Sequence, residues 1–140
     1  MKKLYIISLI FSLLFILSCE DKEDIIPITF TKTFGGIDND DAYSVQQTTD
    51  GGYIFTGYTR SFGNGGSDDL YLIKTNSDGE EEWTKTFGGS SSDYGRSVQQ
   101  TTDGGYVVAG YTTSFGNGRL DFYLIKTDSD GNIAPESELE

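Results

Sequence analysis

The sequence predicts an all-β fold of two four-stranded antiparallel units, and three observations predict it. The decapeptide SVQQTTDGGY at residues 44–53 recurs unchanged at residues 97–106, an offset of 53 residues. Three shorter strings keep step with it: TKTFGG at 31–36 and 84–89, SFGNG at 61–65 and 114–118, and YLIKT at 71–75 and 123–127. The last pair lies 52 apart, so the second copy is one residue shorter in the preceding loop. Finally, the runs between Gly, Asp, Asn and Ser are short and rich in Tyr, Phe, Ile, Val and Thr, with no helical period. A repeat of this length filled with short strands marks a propeller or solenoid array.

Taken in order, the chain opens with a targeting segment. Lys2 and Lys3 precede a charge-free run over residues 4–17. A membrane-spanning helix needs about 20 apolar residues, so the run fits a secretory leader better. It ends in Ile16-Leu17-Ser18-Cys19, which resembles the bacterial lipobox, in which the Cys becomes the acylated first residue. The resemblance implies a lipoprotein signal peptide over residues 1–18, lipidation at Cys19 and attachment to the membrane through acyl chains. The place implied is the bacterial cell envelope, at the outer membrane or cell surface. Residues 19–28, with EDKED at 20–24 and a helix-breaking Pro27, read as an acidic flexible tether. Cys19 is the one cysteine, which excludes an internal disulfide framework. Cleavage removes two of the 10 cations and none of the 22 acids, leaving a net charge of −14. Such a body repels phosphate backbones, so no nucleic-acid partner is expected.

Residues 29–134 form the expected folded domain. A first strand is predicted at residues 29–34. Strands at 43–48 and 53–59 follow, joined by the tight turn Thr49-Asp50-Gly51-Gly52, whose glycines accept positive φ. Further strands are predicted at 69–75 and, after the turn Asn76-Ser77-Asp78-Gly79, at 81–87. The second copy gives 96–101, 106–112 and 121–127. Beyond Ile133 the sequence is polar with a Pro135, so residues 135–140 read as a tail without a counterpart of Trp83-Thr84-Lys85-Thr86-Phe87. Each unit reads as a four-stranded meander, the blade of a β-propeller.

The recurring pattern of GG-x3-D, SVQQT-x-DGGY-x3-GYT, D-x-YLIKT-x-SDG and W-x-KTFGG is similar to the repeat of bacterial propeller-repeat (SBBP-like) surface proteins. The resemblance covers residues 29–133 and implies propeller blades in a surface lipoprotein. Arrays of that kind carry many repeats, whereas this chain has two. The expectation is therefore an incomplete propeller, closed by oligomerisation or part of a larger array. A neighbouring chain's residues 29–34 could cover the edge of residues 121–127, giving homo-oligomeric rings of three or four chains.

Site chemistry is constrained by what is missing. The chain has no His, and its single Cys is the lipidated one, which removes the usual general base and the Ser-His and Cys-His pairs. No enzyme activity, metal or cofactor is expected. Paired carboxylates could hydrolyse glycosides, with Asp40 and Asp69, or Asp93 and Asp121, as the candidate pairs. Recurrence of these aspartates in both copies suits a structural or repeated binding role better than one active site. The oxygen-rich stretches Asp38-Asn39-Asp40-Asp41 and Asp128–Asn132 invite calcium, but the second fails the EF-hand spacing and turn formation explains both. Candidate ligand-binding residues on the long loops are Asp40, Arg60, Phe62, Asn64, Asp69, Asp93, Arg96, Phe115, Asn117 and Asp121. Aromatics beside Asp and Asn can stack on and hydrogen-bond a sugar. The competing expectation is that Phe62, Phe115, Tyr58, Tyr111 and Trp83 pack between the units. The functional expectation is a non-catalytic binding module for a glycan or protein ligand. A lectin acting as an oligomeric propeller and a glycan-processing enzyme are the alternatives.

Overall fold

The computed structural model describes residues 27–63 and 67–133. The leader, Cys19, residues 20–26 of the tether, Asn64 and the tail from residue 134 lie outside the described residues. The described chain is all-β, without a helix, and forms two separate antiparallel sheets. The first holds β1 (Asp40–Gln47), β2 (Tyr53–Thr59), β3 (Asp69–Thr75) and β4 (Glu81–Phe87), in chain order. The second holds β5 (Asp93–Gln100), β6 (Tyr106–Thr112) and β7 (Asp121–Thr127). Neither sheet closes on itself.

The turns follow from their sequences. In the β1–β2 turn Gly51 donates to the Thr48 carbonyl at 2.9 Å and takes φ +84°, and Gly104 repeats this at φ +86°. The next glycine serves another purpose. A Cβ on Gly52 would stand 2.1 Å from the Thr75 carbonyl oxygen, and one on Gly105 would meet that of Thr127 at 2.1 Å. The second glycine of each pair is therefore there to let the neighbouring strand end pass.

The sheets stack face to face. Ile54, Leu70 and Leu72 of the first sheet bury against Val98, Tyr106, Val108 and Ile125 of the second, with Trp83 and Phe87 closing the edge. Trp83 meets Tyr106 edge-on at 5.7 Å, between the units as expected. The sheets come close where Gly95 of β5 crosses Thr56 and Leu70; a Cβ there would lie 2.1 Å from Thr56 Oγ1.

Two expectations are corrected. The second sheet has three strands among the described residues, not four. Residues 29–34 are extended but form no ladder, because no strand edge lies beside them among the described residues. They are held by their side chains against the outer face of the first sheet. Phe30 packs on Tyr53 at 5.8 Å, Phe34 on Phe55 at 5.0 Å, and Lys32 pairs with Glu80 at 2.6 Å.

β1 and β5 also begin three residues earlier than the apolar pattern suggests. The reason is a bulge. Ala42 pairs with Gly57 but Ser44 with Thr56, leaving Tyr43 as the extra residue, and Arg96 is the extra residue between Gly95 and Ser97. Pairing resumes beyond each bulge, as far as Asp40 with Thr59 and Asp93 with Thr112.

Candidate functional site

The bulges build the most concentrated recognition chemistry on the described surface. Each needs a glycine opposite it. A Cβ on Gly57 would stand 1.7 Å from the Asp41 carbonyl oxygen, and one on Gly110 would stand 1.8 Å from that of Tyr94. A bulge re-aims the extra side chain. Here it brings Arg96 over the Tyr43 ring, 3.9 Å from its centroid, with Nη2 donating to the Tyr111 hydroxyl at 2.8 Å. Three further ring contacts continue the cluster along the seam: Tyr43–Tyr58 at 6.0 Å, Tyr58–Tyr94 at 5.2 Å and Tyr94–Tyr111 at 4.8 Å.

Tyr94 also joins the rings to a polar triad. Arg60 and the Tyr94 hydroxyl both donate to the buried Asp68. The Arg60 hydrogen bond holds the Asp68 carboxyl below its usual range, against the cost of burial. Desolvation, then the Asp68 acceptor, pushes Tyr94 up to about 12. Burial also raises Tyr43, with the Arg96 charge opposing.

The expected aspartates do something else. Asp40 accepts from Gly36 N at 2.8 Å, from Ser61 Oγ at 2.7 Å and from Thr59 Oγ1. Its pKa is lowered: burial opposes, but these bonds to the charged form prevail. Asp93, its repeat equivalent, accepts from Gly89 N at 2.9 Å and Ser114 Oγ at 2.6 Å. Asp121 Oδ2 accepts from Gly118 N at 3.2 Å. The pairs considered for hydrolysis stand level in their sheets: Asp40 and Asp69 both lie across from Thr59, and Asp93 and Asp121 both lie across from Thr112. Asp69 and Asp93 also meet around Gly88, where a Cβ would lie 2.1 Å from Asp69 Oδ1 and 2.6 Å from Asp93 Oδ2. Both are buried. Asp40, Asp93 and Asp121 thus hold glycine-rich loops.

Phe62 lies on Tyr71 and Phe115 on Tyr123, each at 5.7 Å within its own sheet. Asn117 is exposed in the β6–β7 loop, and Asn64 lies outside the described residues. Among the described residues no group of three or more His, Cys, Asp or Glu could hold a metal ion. In the 128–132 turn, Asp128 Oδ1 accepts from the backbone N–H of Asp130 at 2.9 Å and Asn132 at 2.8 Å, an Asx-type turn.

A second feature was not foreseen as a site: the outer face of the second sheet. Phe122 is 101% exposed and Leu124 71%, whereas their repeat equivalents Leu70 and Leu72 are 0% exposed under β5. Arg96, Ala109, Tyr111, Leu120 and Phe122 line a cleft of about 370 Å³ on this face. No protein-family model matches the chain, and no curated protein matches it.

Proposed function

We propose that the chain is a non-catalytic, lipid-anchored interaction module of the bacterial cell envelope, built from two propeller-type blades. It acts through the sheet face that it leaves uncovered. One observation carries the reading. Phe122 and Leu124 stand fully or largely exposed where the same repeat positions, Leu70 and Leu72, are sealed in the core. An apolar patch of this kind on a strongly acidic chain is the usual mark of a docking surface. Commitment of Asp40 and Asp93 to loop clamping, and burial of Asp69 and Asp93, support the non-catalytic part. The stacking of the units supports the blade reading, and Ser18-Cys19 supports the anchor.

The test is chemical cross-linking in the envelope, comparing the wild-type chain with Phe122→Asp. Because Phe122 is uncovered, the variant keeps its urea midpoint, and its cross-linked adducts disappear. Adducts of unchanged yield overturn the reading. A second reading, glycan recognition, is favoured by the exposed Tyr43 ring beside the Arg96 guanidinium. A glycan array on which wild type and Tyr43→Ala give the same signal disposes of it.

A further inference from the structure

Residues 29–36 lie on the first sheet as β4 lies on the second, contact for contact. The Phe30–Tyr53 pair at 5.8 Å and 68° repeats Trp83–Tyr106 at 5.7 Å and 61°. The Phe30 ring lies over Gly79 as the Trp83 ring lies over Gly131. The Lys32–Glu80 contact repeats Lys85–Asn132, and Gly36 N to Asp40 at 2.8 Å repeats Gly89 N to Asp93 at 2.9 Å. The segment thus occupies the place of a fourth strand belonging to a preceding unit, with no third strand beside it among the described residues. At the other end, among the described residues, β7 is an edge and the outer face of the second sheet is uncovered.

We infer that these two ends are halves of one interface, and that the occupant of each is a second copy of this chain, docked head to tail. The inference rests on the interaction-module reading and names its partner. In this arrangement the second copy's β1 lies on β5 as β5 lies on β1. Its residues 30–34 pair with β7 in the β3–β4 register, where Leu70 faces Phe87 and Leu72 faces Lys85. Phe122 then faces the second copy's Phe34, and Leu124 its Lys32.

The seam inside the chain tests this in detail, because each contact can be transferred by the repeat offset. Val98 N donates to Ser44 Oγ at 3.3 Å, Gln100 N to Gln46 Oε1 at 2.6 Å, and Thr49 N to Gln100 Oε1 at 2.9 Å. All the acceptors belong to SVQQ, which both copies share, so Ser97 and Gln99 stand ready for the second copy's Val45 and Gln47. Val45 is 66% exposed where Val98, its equivalent, is 3% exposed. The Arg96–Tyr43 stack transfers with its members exchanged: the second copy's Tyr43 meets Arg96, again a cation and a ring.

Where the sequences differ, they differ in compensation. Inside the chain Gly95 is required because Thr56 Oγ1 lies 2.1 Å from where its Cβ would be. At the docking interface the Gly95 position is Ala42 and the Thr56 position is Ala109. The added methyl meets a residue that has lost its branch. The Arg60–Asp68–Tyr94 triad has no such counterpart, since Leu120 stands for Asp68. It belongs to the internal seam alone.

The experiment is disulfide trapping of the full chain in the envelope. Lys32→Cys and Leu124→Cys are made singly and together, and treated with a mild oxidant. Both positions are on the protein's outer surfaces with the two sheets between them, so one chain cannot close on itself. The expected result is a ladder at multiples of the chain mass in the double variant and none in either single variant. Three outcomes overturn the inference. Dimers formed by either single variant as readily as adducts form in the double variant exclude head-to-tail docking. A Leu124→Cys adduct with a different protein excludes the second copy while sustaining the interaction-module reading. No adduct in any variant counts against both.

Discussion

The close contact between the two sheets at Gly95 and Thr56 can be interrogated by a double-mutant cycle. Gly95→Ala places a methyl 2.1 Å from Thr56 Oγ1 and 3.1 Å from both Thr56 Cβ and Leu70 Cγ. Thr56 cannot step aside cheaply. Its χ1 is stiff, rotation brings its methyl into the same space, and its hydroxyl is buried, donating to the Tyr71 carbonyl at 2.9 Å. Overpacking of this kind costs about 1–3 kcal/mol. Gly95 has no positive φ, so backbone strain adds nothing. Lower chain entropy in the unfolded state returns about 0.5–1 kcal/mol, leaving a net loss of about 1–2 kcal/mol. Thr56→Ala alone loses one buried hydrogen bond and a methyl contact, about 1–2 kcal/mol. Together the two variants relieve the clash, so the double variant falls short of the sum by about 1–2 kcal/mol. Urea unfolding followed by the fluorescence of Trp83, the one Trp, which lies on Tyr106 at the seam, measures this. Additivity within about 0.5 kcal/mol would refute the reasoning, and with it the claim that Ala42 and Ala109 are a matched exchange of Gly95 and Thr56.

Three further expectations are independent of that cycle. Gly57→Ala drives a Cβ to 1.7 Å from a backbone oxygen that cannot swing away, so the β1 bulge must open. It should lower stability by about 3 kcal/mol or more, against about 1 kcal/mol for Gly104→Ala, where φ is +86° but nothing lies within 4 Å; equal urea midpoints for the two would contradict the bulge account. Lys74 is buried between Asp50 at 2.8 Å and Glu82 at 2.7 Å, and the Lys74 hydrogen bond lowers Asp50 from 3.8 to about 2. A depressed carboxylate stabilises the fold above its unfolded value and loses that effect as pH falls through its folded one. The difference in Tm between wild type and Lys74→Met should therefore shrink as pH falls from about 4 to about 2, and a difference independent of pH counts against the pairing. The same lysine, raised because its two carboxylate partners outweigh desolvation, keeps its contribution up to its ordinary 10.5 and loses it above. At the N-terminal end, Cys19→Ala should abolish incorporation of labelled palmitate; label retained in that variant rules out the lipobox reading.

Much of the architecture was legible because the repeat reports on itself. Five strand spans, from Tyr53–Thr59 to Asp121–Thr127, follow from alternation bounded by Gly, Asp and Asn. The β1–β2 and β5–β6 turns follow from DGG, although only Gly51 and Gly104 take positive φ, while Gly52 and Gly105 give clearance. The starts of β1 and β5 were not legible from apolar pattern, since a bulge breaks the period of two at Tyr43 and Arg96. A signal did exist. Gly57 and Gly110 sit inside otherwise β-favouring strands, and a glycine there marks a bulge or a close backbone approach.

The candidate site divides the same way. The sequence points to Arg96, Tyr58 and Tyr111, but Tyr43 and Tyr94 join them only because bulge and seam bring different repeats together. Repeat logic alone misjudges such residues. Tyr43 and Arg96 are equivalents that differ, and so are Asp41 and Tyr94. A repeated position with a constant residue, as in SVQQ, serves what every unit must do, which is to join the next. A repeated position with a changed residue either serves one seam alone, as Asp68 does, or keeps a contact by exchange, as Tyr43 and Arg96 do. By that criterion the identical decapeptide is interface, and the Arg60–Asp68–Tyr94 triad fixes the order of the two units within the chain. Ligand chemistry is then to be sought at the exchanged positions, where Arg96 lies on Tyr43. The invariant aspartates, visible first in the sequence, carry the loops instead.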